Sequence, residues 1–155
     1  MTKQPGQVVA TNRKARHEYY LDATLEAGLA LTGTEVKALR AGAASLADGW
    51  VSFDGGEAYL EGVHIPEYVQ GTWTNHAPRR KRKLLLHKDQ IRKWAAKTGE
   101  AGVTVVPLRL YFSGGRAKVE IALARGKRDW DKRQALRERQ DNREAERAMR
   151  SRTFR

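Results

Sequence analysis

The sequence predicts a small, mainly β protein with helices: a barrel of about six strands and two or three helices, followed by a disordered basic C-terminal tail. Three observations lead to this prediction. Short apolar-rich segments alternate with glycine-containing turns, basic residues greatly outnumber acidic ones, and the last 30 residues contain few large apolar side chains. A flat α+β sheet covered by one layer of helices is the alternative that this pattern leaves open.

Length and composition favour one folded domain with extensions. The chain has 155 residues, of which 40% are hydrophobic, and this is enough for one compact core. We expect residues 1–7 to be a disordered N-terminus, residues 8–125 to form the barrel and residues 126–155 to form the tail. The absence of cysteine excludes disulfides and thiolate nucleophiles. The sequence has no apolar run typical of a signal peptide or membrane span, so we expect a cytoplasmic protein.

The first half of the barrel is predicted to contain a strand, a helix and a hairpin. Residues 18–31 have strand character, and Gly28 indicates a bulge or bend within them. The segment TGTEVKALRAG predicts a short helix that begins at Thr32 or Thr34 and ends at the closing glycine. Two alternating segments flank the sequence DGG at residues 54–56, which predicts a β-hairpin.

The second half is predicted to contain one longer helix and a second hairpin. The spacing of apolar residues in KLLLHKDQIRKWAAKTG predicts a helix that begins near His87 and ends at Gly99. Two strands then flank the sequence SGG at residues 113–115. Pro107 indicates an edge or bulge position in the first of these strands.

Net charge is the strongest indication of function. The 30 Lys and Arg residues against 18 Asp and Glu give a formal charge of +12. Residues 125–155 contain 12 basic and 6 acidic residues, so this segment and the remainder of the chain carry +6 each. Such a charge attracts polyanions. Because the tail lacks the bulky apolar face of a membrane-surface helix, nucleic acid is favoured over a membrane, and a barrel of the oligonucleotide-binding (OB) type suits a basic protein of this size.

Two basic segments of the body are candidate nucleic-acid contacts. The first combines cations with hydrogen-bonding side chains that suit phosphates and base edges, namely Asn12, Arg13, Lys14, Arg16 and His17. The second is RRKRK at residues 79–83, where adjacent like charges repel one another until an anion binds along them, and where arginine can bind phosphate through two hydrogen bonds. Either segment could instead be a solvated basic surface.

The tail is predicted to fold only against a partner. In a helix, Arg139, Arg143 and Arg147 would lie at i, i+4 and i+8, with Arg150 close to the same line. Like charges at this spacing destabilise an isolated helix, but phosphates would neutralise them and make binding steeply salt-dependent. Trp130 stands among charges in GKRDWDKR and can stack on an unstacked base. The alternative is a solubility tail with an incidental tryptophan.

Catalytic patterns are weak. No two of the four histidines have metal-ligand spacing with a carboxylate in register. His17 and Glu18 could form an acid–base pair for RNA cleavage, but in a strand their side chains would point to opposite faces. We therefore expect no enzymatic activity, no metal and no cofactor.

Four segments, in this order, resemble the SsrA-binding protein family (small protein B, SmpB): NRKARHEYYLDATLEAGLALTGTEVKALRAG, PRRKRKLLLHKDQI, VTVVPLRLYF and LARGKRDWDKR. The resemblance covers about residues 8–133, and the remaining tail is similar in length and basic character. It implies an OB-type barrel whose tail is disordered when free and helical on the ribosome. It also implies a monomer that binds the tRNA-like domain of transfer-messenger RNA and, on the ribosome and its small-subunit rRNA, rescues stalled translation with tagging of the nascent chain.

The same resemblance implies the residues of the site. Those expected to bind the tRNA-like RNA are Asn12, Arg13, Lys14, Arg16, His17, Glu26, Glu35, Lys37, Arg40, Arg82, Lys83 and Leu85. A carboxylate such as Glu26 repels phosphate, so it is expected to accept hydrogen bonds from base N–H groups. Leu85 is expected to contact a base or a ribose, although its residue type alone would favour the core.

The resemblance gives the tail a separate role. The residues expected at the decoding centre are Gly126, Lys127, Arg128, Trp130, Asp131, Lys132 and Arg133. The arginine stripe, which consists of Arg139, Arg143, Arg147 and Arg150, is expected in the mRNA channel. Trp130 stands where a histidine is common in the family. Stacking would survive this change, whereas a role for an imidazole proton would not.

Two other functions remain open on the residues alone. A ribosomal or ribosome-assembly protein could thread rRNA with the same basic tail. A ribonuclease could be centred on His17.

Overall fold

Seven strands and four helices make up the part of the chain that the computed structural model describes, which is residues 7–68, 75–127 and 137–147. The strands are β1 (Gln7–Thr11), β2 (Tyr19–Leu29), β3 (Trp50–Asp54), β4 (Glu57–Glu61), β5 (Arg82–Leu85), β6 (Val103–Ser113) and β7 (Arg116–Gly126). The helices of the body are α1 (Arg13–Glu18), α2 (Gly33–Arg40) and α3 (Lys88–Thr98). A fourth helix, α4, covers residues 137–147 of the tail. Within these ranges no helix is both long and apolar enough to cross a membrane.

The seven strands form one antiparallel sheet in the order β1-β6-β7-β2-β5-β4-β3. The sheet curls so far that β3, at one end, contacts β6 near the other. Inward-facing Val, Leu and Ile side chains fill the space enclosed, and Ile91 and Trp94 of α3 complete this core. The predicted mainly β barrel with helices is therefore confirmed, and the flat sheet is not formed.

Paired glycines close both predicted hairpins. Gly55 and Gly56 have φ angles of 58° and 77°, and Gly114 and Gly115 have φ angles of 59° and 77°. Two consecutive positive φ angles define the turn whose twist matches that of the flanking strands, and glycine adopts it without steric cost. The turns set the register of both hairpins, including the pair Tyr111 and Lys118.

The two longer predicted helices form where the sequence indicates. Thr32 is the N-cap of α2, and the helix is followed by Gly42 at a positive φ of 86°. His87 is the N-cap of α3 and Gly99 is its C-cap. Both helices therefore begin at the predicted residues, and at each start the side chain three positions on, Glu35 or Gln90, accepts a hydrogen bond from the N-cap N–H.

The segment around His17 corrects the sequence-based prediction, because it is a helix and not a strand. The Asn12 carboxamide oxygen accepts a hydrogen bond from the Ala15 N–H at 3.2 Å, which caps the first turn of α1. Ala15 is buried beneath the helix. His17 and Glu18 are therefore consecutive residues of a helix, where adjacent side chains do not face each other either.

Two further expectations about strands need revision. The register of β2 against β7 shifts between Leu21 and Thr24, and not at Gly28. Pro107 does not lie on an edge strand, because β6 is paired with both β1 and β7. It lies at an irregularity of the β6–β7 register, which agrees with the alternative bulge position.

Strand β5 was not predicted, and it sorts the basic block RRKRK onto two faces. Arg82 and Leu84 are buried, whereas Lys83 and Leu85 are exposed. Side chains of a strand alternate between its faces, so adjacent cations of the block have opposite surroundings. Cations that are adjacent in the sequence are thus separated in the structure, with Arg82 inside the protein and Lys83 on its surface.

A buried carboxylate joins α2 to this basic segment. Glu35 is fully buried and pairs with the equally buried Arg82 and with Arg80, whose Nη2 donates to Glu35 Oε1 at 2.5 Å. The same oxygen accepts from the Thr32 N–H at 2.9 Å. Arg82 also donates to the carbonyl oxygens of Val63 and Pro78, at 2.9 and 3.0 Å. We refer to Glu35, Arg80 and Arg82 as the buried ion cluster.

We predict that Glu35→Gln destabilises the protein by about 3–5 kcal/mol, because removal of one partner leaves the buried Arg82 without its counter-charge. Urea unfolding measures this change. Glu67→Gln, at an exposed glutamate, is the matched control and should change the unfolding free energy by less than about 0.5 kcal/mol. Equal stability of the two variants would contradict the role given to the cluster.

The pKa of Glu35 predicts a pH dependence of stability. Burial alone would raise this pKa, but hydrogen bonds from Arg80, the Thr32 N–H and Arg82 outweigh burial and lower it from 4.5 to about 2. A lowered folded-state pKa stabilises the protein above pH 4.5, and this contribution is lost as the pH falls towards 2. It amounts to about 3 kcal/mol. The stability difference between wild type and Glu35→Gln should therefore shrink below pH 4.5, and a constant difference would refute the assignment.

Candidate nucleic-acid interface

A groove of about 530 Å³ lies beside the exposed face of β5 and brings together three of the predicted site residues. Glu26 of β2 and Lys83 and Leu85 of β5 line it, together with Lys118 of β7 and Lys88 at the start of α3. Three lysines, two carboxylates (Glu26 and Glu57) and an exposed leucine thus share one open surface. This combination suits a ligand that has both negative charge and apolar, hydrogen-bonding rings. We call it the Leu85 groove.

Leu85 is exposed, contrary to what its residue type alone would favour. Its side chain is 56% exposed, because the alternation of β5 places the neighbouring Leu84 in the core instead. Gly28 lies opposite Leu85 in the sheet, and a Cβ on this glycine would stand 3.1 Å from Leu85 Cβ. Glycine at position 28 therefore leaves space for the Leu85 side chain. This close approach, and not a bulge, accounts for the glycine.

Glu26 is held by a tyrosine that the sequence analysis did not single out. The hydroxyl of Tyr111, a buried residue of β6, donates to Glu26 Oε2. Burial and the hydrogen bond to Glu26 raise the pKa of Tyr111, so the phenol stays protonated and remains a donor. The Glu26 carboxylate has further lone pairs that can accept from a base.

A second carboxylate next to Glu26 is neutralised within the protein. Glu120 lies directly opposite Glu26 in the β2–β7 pair, where two like charges would repel each other. Arg109 Nη2 lies 3.1 Å from Glu120 Oε2. Glu26 is thus paired with a neutral phenol, and Glu120 with a guanidinium.

Lysines provide the positive charge around the Leu85 groove. Lys83 Nζ lies 3.7 Å from Glu57 Oε2, and its side chain is half-exposed, so this pair contributes little to stability and can exchange for a phosphate. The neighbouring Lys81 lies over the ring of Tyr59, 4.2 Å from its centroid. Both lysines belong to the outward-facing half of the RRKRK segment.

Predicted cations on α1 and α2 are also accessible. Arg13, Lys14 and Arg16 are exposed on α1, and His17 is partly buried. On α2, Lys37 and Arg40 are exposed. The Arg40 guanidinium lies 4.8 Å from the centroid of the Phe112 ring, which holds its alkyl chain against the barrel.

Three predicted contact residues have internal roles instead. Glu35 and Arg82 are fully buried in the ion cluster. Asn12 is 6% exposed, and its amide nitrogen donates to the carbonyl oxygens of Leu46 and Pro107, at 3.3 and 2.9 Å. Desolvated side chains that are bonded on the inside do not reach a ligand outside. The expectation of direct RNA contact is therefore corrected for these three to a role in positioning α1, α2 and β5.

The base of the tail is attached to α1. The Lys127 N–H donates to the Glu18 carbonyl oxygen at 2.8 Å, and Lys127 Nζ lies 5.0 Å from the centroid of the Tyr20 ring. Gly126 ends β7. The other predicted decoding-centre residues lie outside the described residues, as does Arg150: Arg128, Trp130, Asp131, Lys132 and Arg133.

Helix α4 carries three arginines of the predicted stripe. Arg139, Arg143 and Arg147 are exposed and lie within the same helix, at the spacing of i, i+4 and i+8 that places them on one face. The spacing prediction for these three therefore agrees with the structure. Disorder of the free tail stays a prediction.

The hairpin register of Lys118 and Tyr111 could be predicted from the sequence, but their place beside the groove could not. Each lies three residues from the Gly114-Gly115 turn, so the register pairs them. The sequence does not show that β2 and β5 lie next to this hairpin. Without these neighbours nothing connects Lys118 or Tyr111 with Glu26 and Leu85.

Comparison with known proteins agrees with the fold. The SmpB protein family model matches residues 9–151. The SsrA-binding protein of Leifsonia xyli subsp. xyli is 69% identical over 153 residues, which covers 98% of this chain and 97% of that protein. The SsrA-binding protein of Streptomyces coelicolor is 64% identical over 150 residues, which covers 96% of this chain and 94% of that protein.

A solved structure is similar as well. It is described as "tmRNA-SmpB: a journey to the center of the bacterial ribosome", and its matching chain has 48% sequence identity and a TM-score of 0.69. The match covers 85% of this chain and 96% of the solved chain. Fold and sequence thus agree along most of the length, and the chain belongs to the SmpB family of SsrA-binding proteins.

Proposed function

We propose that this protein binds the tRNA-like domain of transfer-messenger RNA and delivers it to stalled ribosomes for trans-translation. The relatives are SsrA-binding proteins at 62–69% identity, and the similar solved chain is described with tmRNA and the bacterial ribosome. The observation that carries the proposal to this chain is the Leu85 groove, which joins an exposed leucine, a hydrogen-bonded carboxylate and three lysines.

The groove residues have distinct roles in this proposal. Leu85 makes apolar contact with a base or ribose, and Glu26 accepts hydrogen bonds from base N–H groups. Lys83 and Lys118 bind the adjacent phosphates, and binding releases counterions from them. Tyr111 fixes the direction of the Glu26 carboxylate. The accessible cations of α1 and α2 bind further phosphates, namely Arg13, Lys14, Arg16, Lys37 and Arg40.

The tail acts after the RNA is bound. We propose that residues 126–133 reach the decoding centre and that the arginine stripe of α4 follows the mRNA channel, where rRNA phosphates neutralise it. Trp130 stacks on a base of the decoding centre. Lys127, attached to α1, sets the direction in which the tail leaves the barrel.

The protein acts in the cytoplasm, as a monomer, and through binding alone. His17 and Glu18 are consecutive residues of α1, a spacing at which two side chains do not converge on one bond. A ribonuclease would lose RNA cleavage in a His17→Ala variant. A ribosome-assembly protein would instead copurify with vacant subunits and show no preference for a tRNA-like RNA.

We predict that Leu85→Ala and Glu26→Gln each weaken binding of the tRNA-like RNA by about five- to 100-fold, because each loses a contact worth about 1–3 kcal/mol. Filter binding or fluorescence anisotropy measures the change. Val8→Ala, at an exposed apolar residue outside the Leu85 groove, is the matched control and should leave affinity unchanged. Wild-type affinity in both groove variants would refute the assignment of this surface.

We predict that Trp130→Ala impairs nascent-chain tagging while binding of the tRNA-like RNA stays nearly intact, because the tail acts later than the barrel. Trp130→Phe should restore tagging, since a phenyl ring also stacks. An in vitro tagging assay on stalled ribosomes tests both variants. If Phe were as inactive as Ala, stacking would not be the role of this position.

A further inference from the structure

A second groove, of about 240 Å³, lies between α1, the α2–β3 connection and the first residues of β3 and β6. It shares none of its described lining residues with the Leu85 groove. Trp50, the first residue of β3, forms one wall and is 46% exposed. Ala15, Gly49 and Val106 form an apolar floor. We call it the Trp50 groove.

The Trp50 ring is held in place by backbone on one side. A Cβ on Gly62 would stand 2.6 Å from a carbon of the indole, so only glycine at position 62 lets the ring lie against this strand end. Gly62 also has a positive φ of 73°. A ring fixed before binding loses little conformational entropy when a second ring stacks on it.

Charges around the Trp50 groove favour a nucleobase over a phosphate inside it. Glu18 and Asp48 line the groove, and these carboxylates repel phosphate but accept hydrogen bonds from the amino groups of adenine, cytosine and guanine. Lys14 lies 3.9 Å from Glu18, and Arg79 lies 3.9 Å from Asp48. Such loose, exposed pairs contribute little to stability, so Arg79, which is not among the cations proposed to bind the tRNA-like RNA, can turn to a phosphate that flanks a seated base.

From this arrangement we propose that the Trp50 groove binds one unstacked, amino-bearing nucleobase of a single-stranded RNA segment. The base stacks on Trp50 and directs its amino group to Asp48 or Glu18. Because the two grooves are separate, one chain can hold a structured RNA in the Leu85 groove and a single-stranded segment in the Trp50 groove.

The test uses the full chain and a hexaribonucleotide of adenosines with one central 2-aminopurine, whose fluorescence is quenched when it stacks. Trp50→Ala should weaken binding of this probe by about five- to 100-fold, and Trp50→Phe should retain most of the affinity. Binding of the tRNA-like RNA should be unchanged in Trp50→Ala, so failure here is distinguishable from failure of the proposed function. Leu85→Ala should show the reverse pattern.

Trp130→Ala is the control for binding to the tail. If quenching is lost in Trp130→Ala instead of Trp50→Ala, or if Trp50→Ala binds the probe like wild type, the proposal is overturned.

Asp48→Asn leaves the indole in place and makes the protein less acidic, yet it should weaken binding of the adenine probe. Glu67→Gln makes the same charge change at an exposed position outside this groove and should not weaken it. Equal or tighter binding by Asp48→Asn would contradict the role of the carboxylate.

Discussion

The buried pairing of Glu35 with Arg82 is the constraint on which the rest of the structure depends. Two opposite charges are removed from water at a cost that only close pairing and full hydrogen bonding offset, and here Arg80, the Thr32 N–H and two carbonyl oxygens complete the set. The cluster connects the start of α2 with β5. It therefore also fixes which side chains of β5 face inward, because a shift of one residue would exchange the two faces.

The binding surface follows from this choice of face. With Arg82 and Leu84 inside, Lys83 and Leu85 must be outside, where they meet Glu26 of the neighbouring strand. Part of the basic block thus builds the fold, and the rest lies on the surface that we propose to bind RNA. The N-terminal segment is likewise divided into a structural and an exposed part. Asn12 donates hydrogen bonds to the carbonyl oxygens of Leu46 and Pro107, whereas the cations after it are exposed.

Local patterns predicted much of this fold, and contacts between distant segments account for what was missed. Glycine pairs and capping residues gave both hairpins and the helices α2 and α3, because those signals act within a few residues. Strand β5 could not be predicted from the run of charges. The alternation of buried and exposed residues depends on the burial of Arg82, which pairs with Glu35, 47 positions away. The family resemblance placed Glu35, Arg82 and Asn12 among the RNA contacts, whereas in the structure their side chains are buried and bonded internally. It also placed Glu26, Lys83 and Leu85 there, and the structure brings these three into one groove.

We propose that the barrel, and not the tail, distinguishes one RNA from another. The most direct measurement compares the full chain with a truncation after Lys127, which keeps the contact with α1, in binding to the tRNA-like half of transfer-messenger RNA and to an ordinary tRNA at two salt concentrations. We expect both proteins to prefer the tRNA-like half by the same factor, and the truncated protein to lose part of its salt dependence. Loss of the preference on truncation, or equal binding of the two RNAs by the full chain, would contradict the claim.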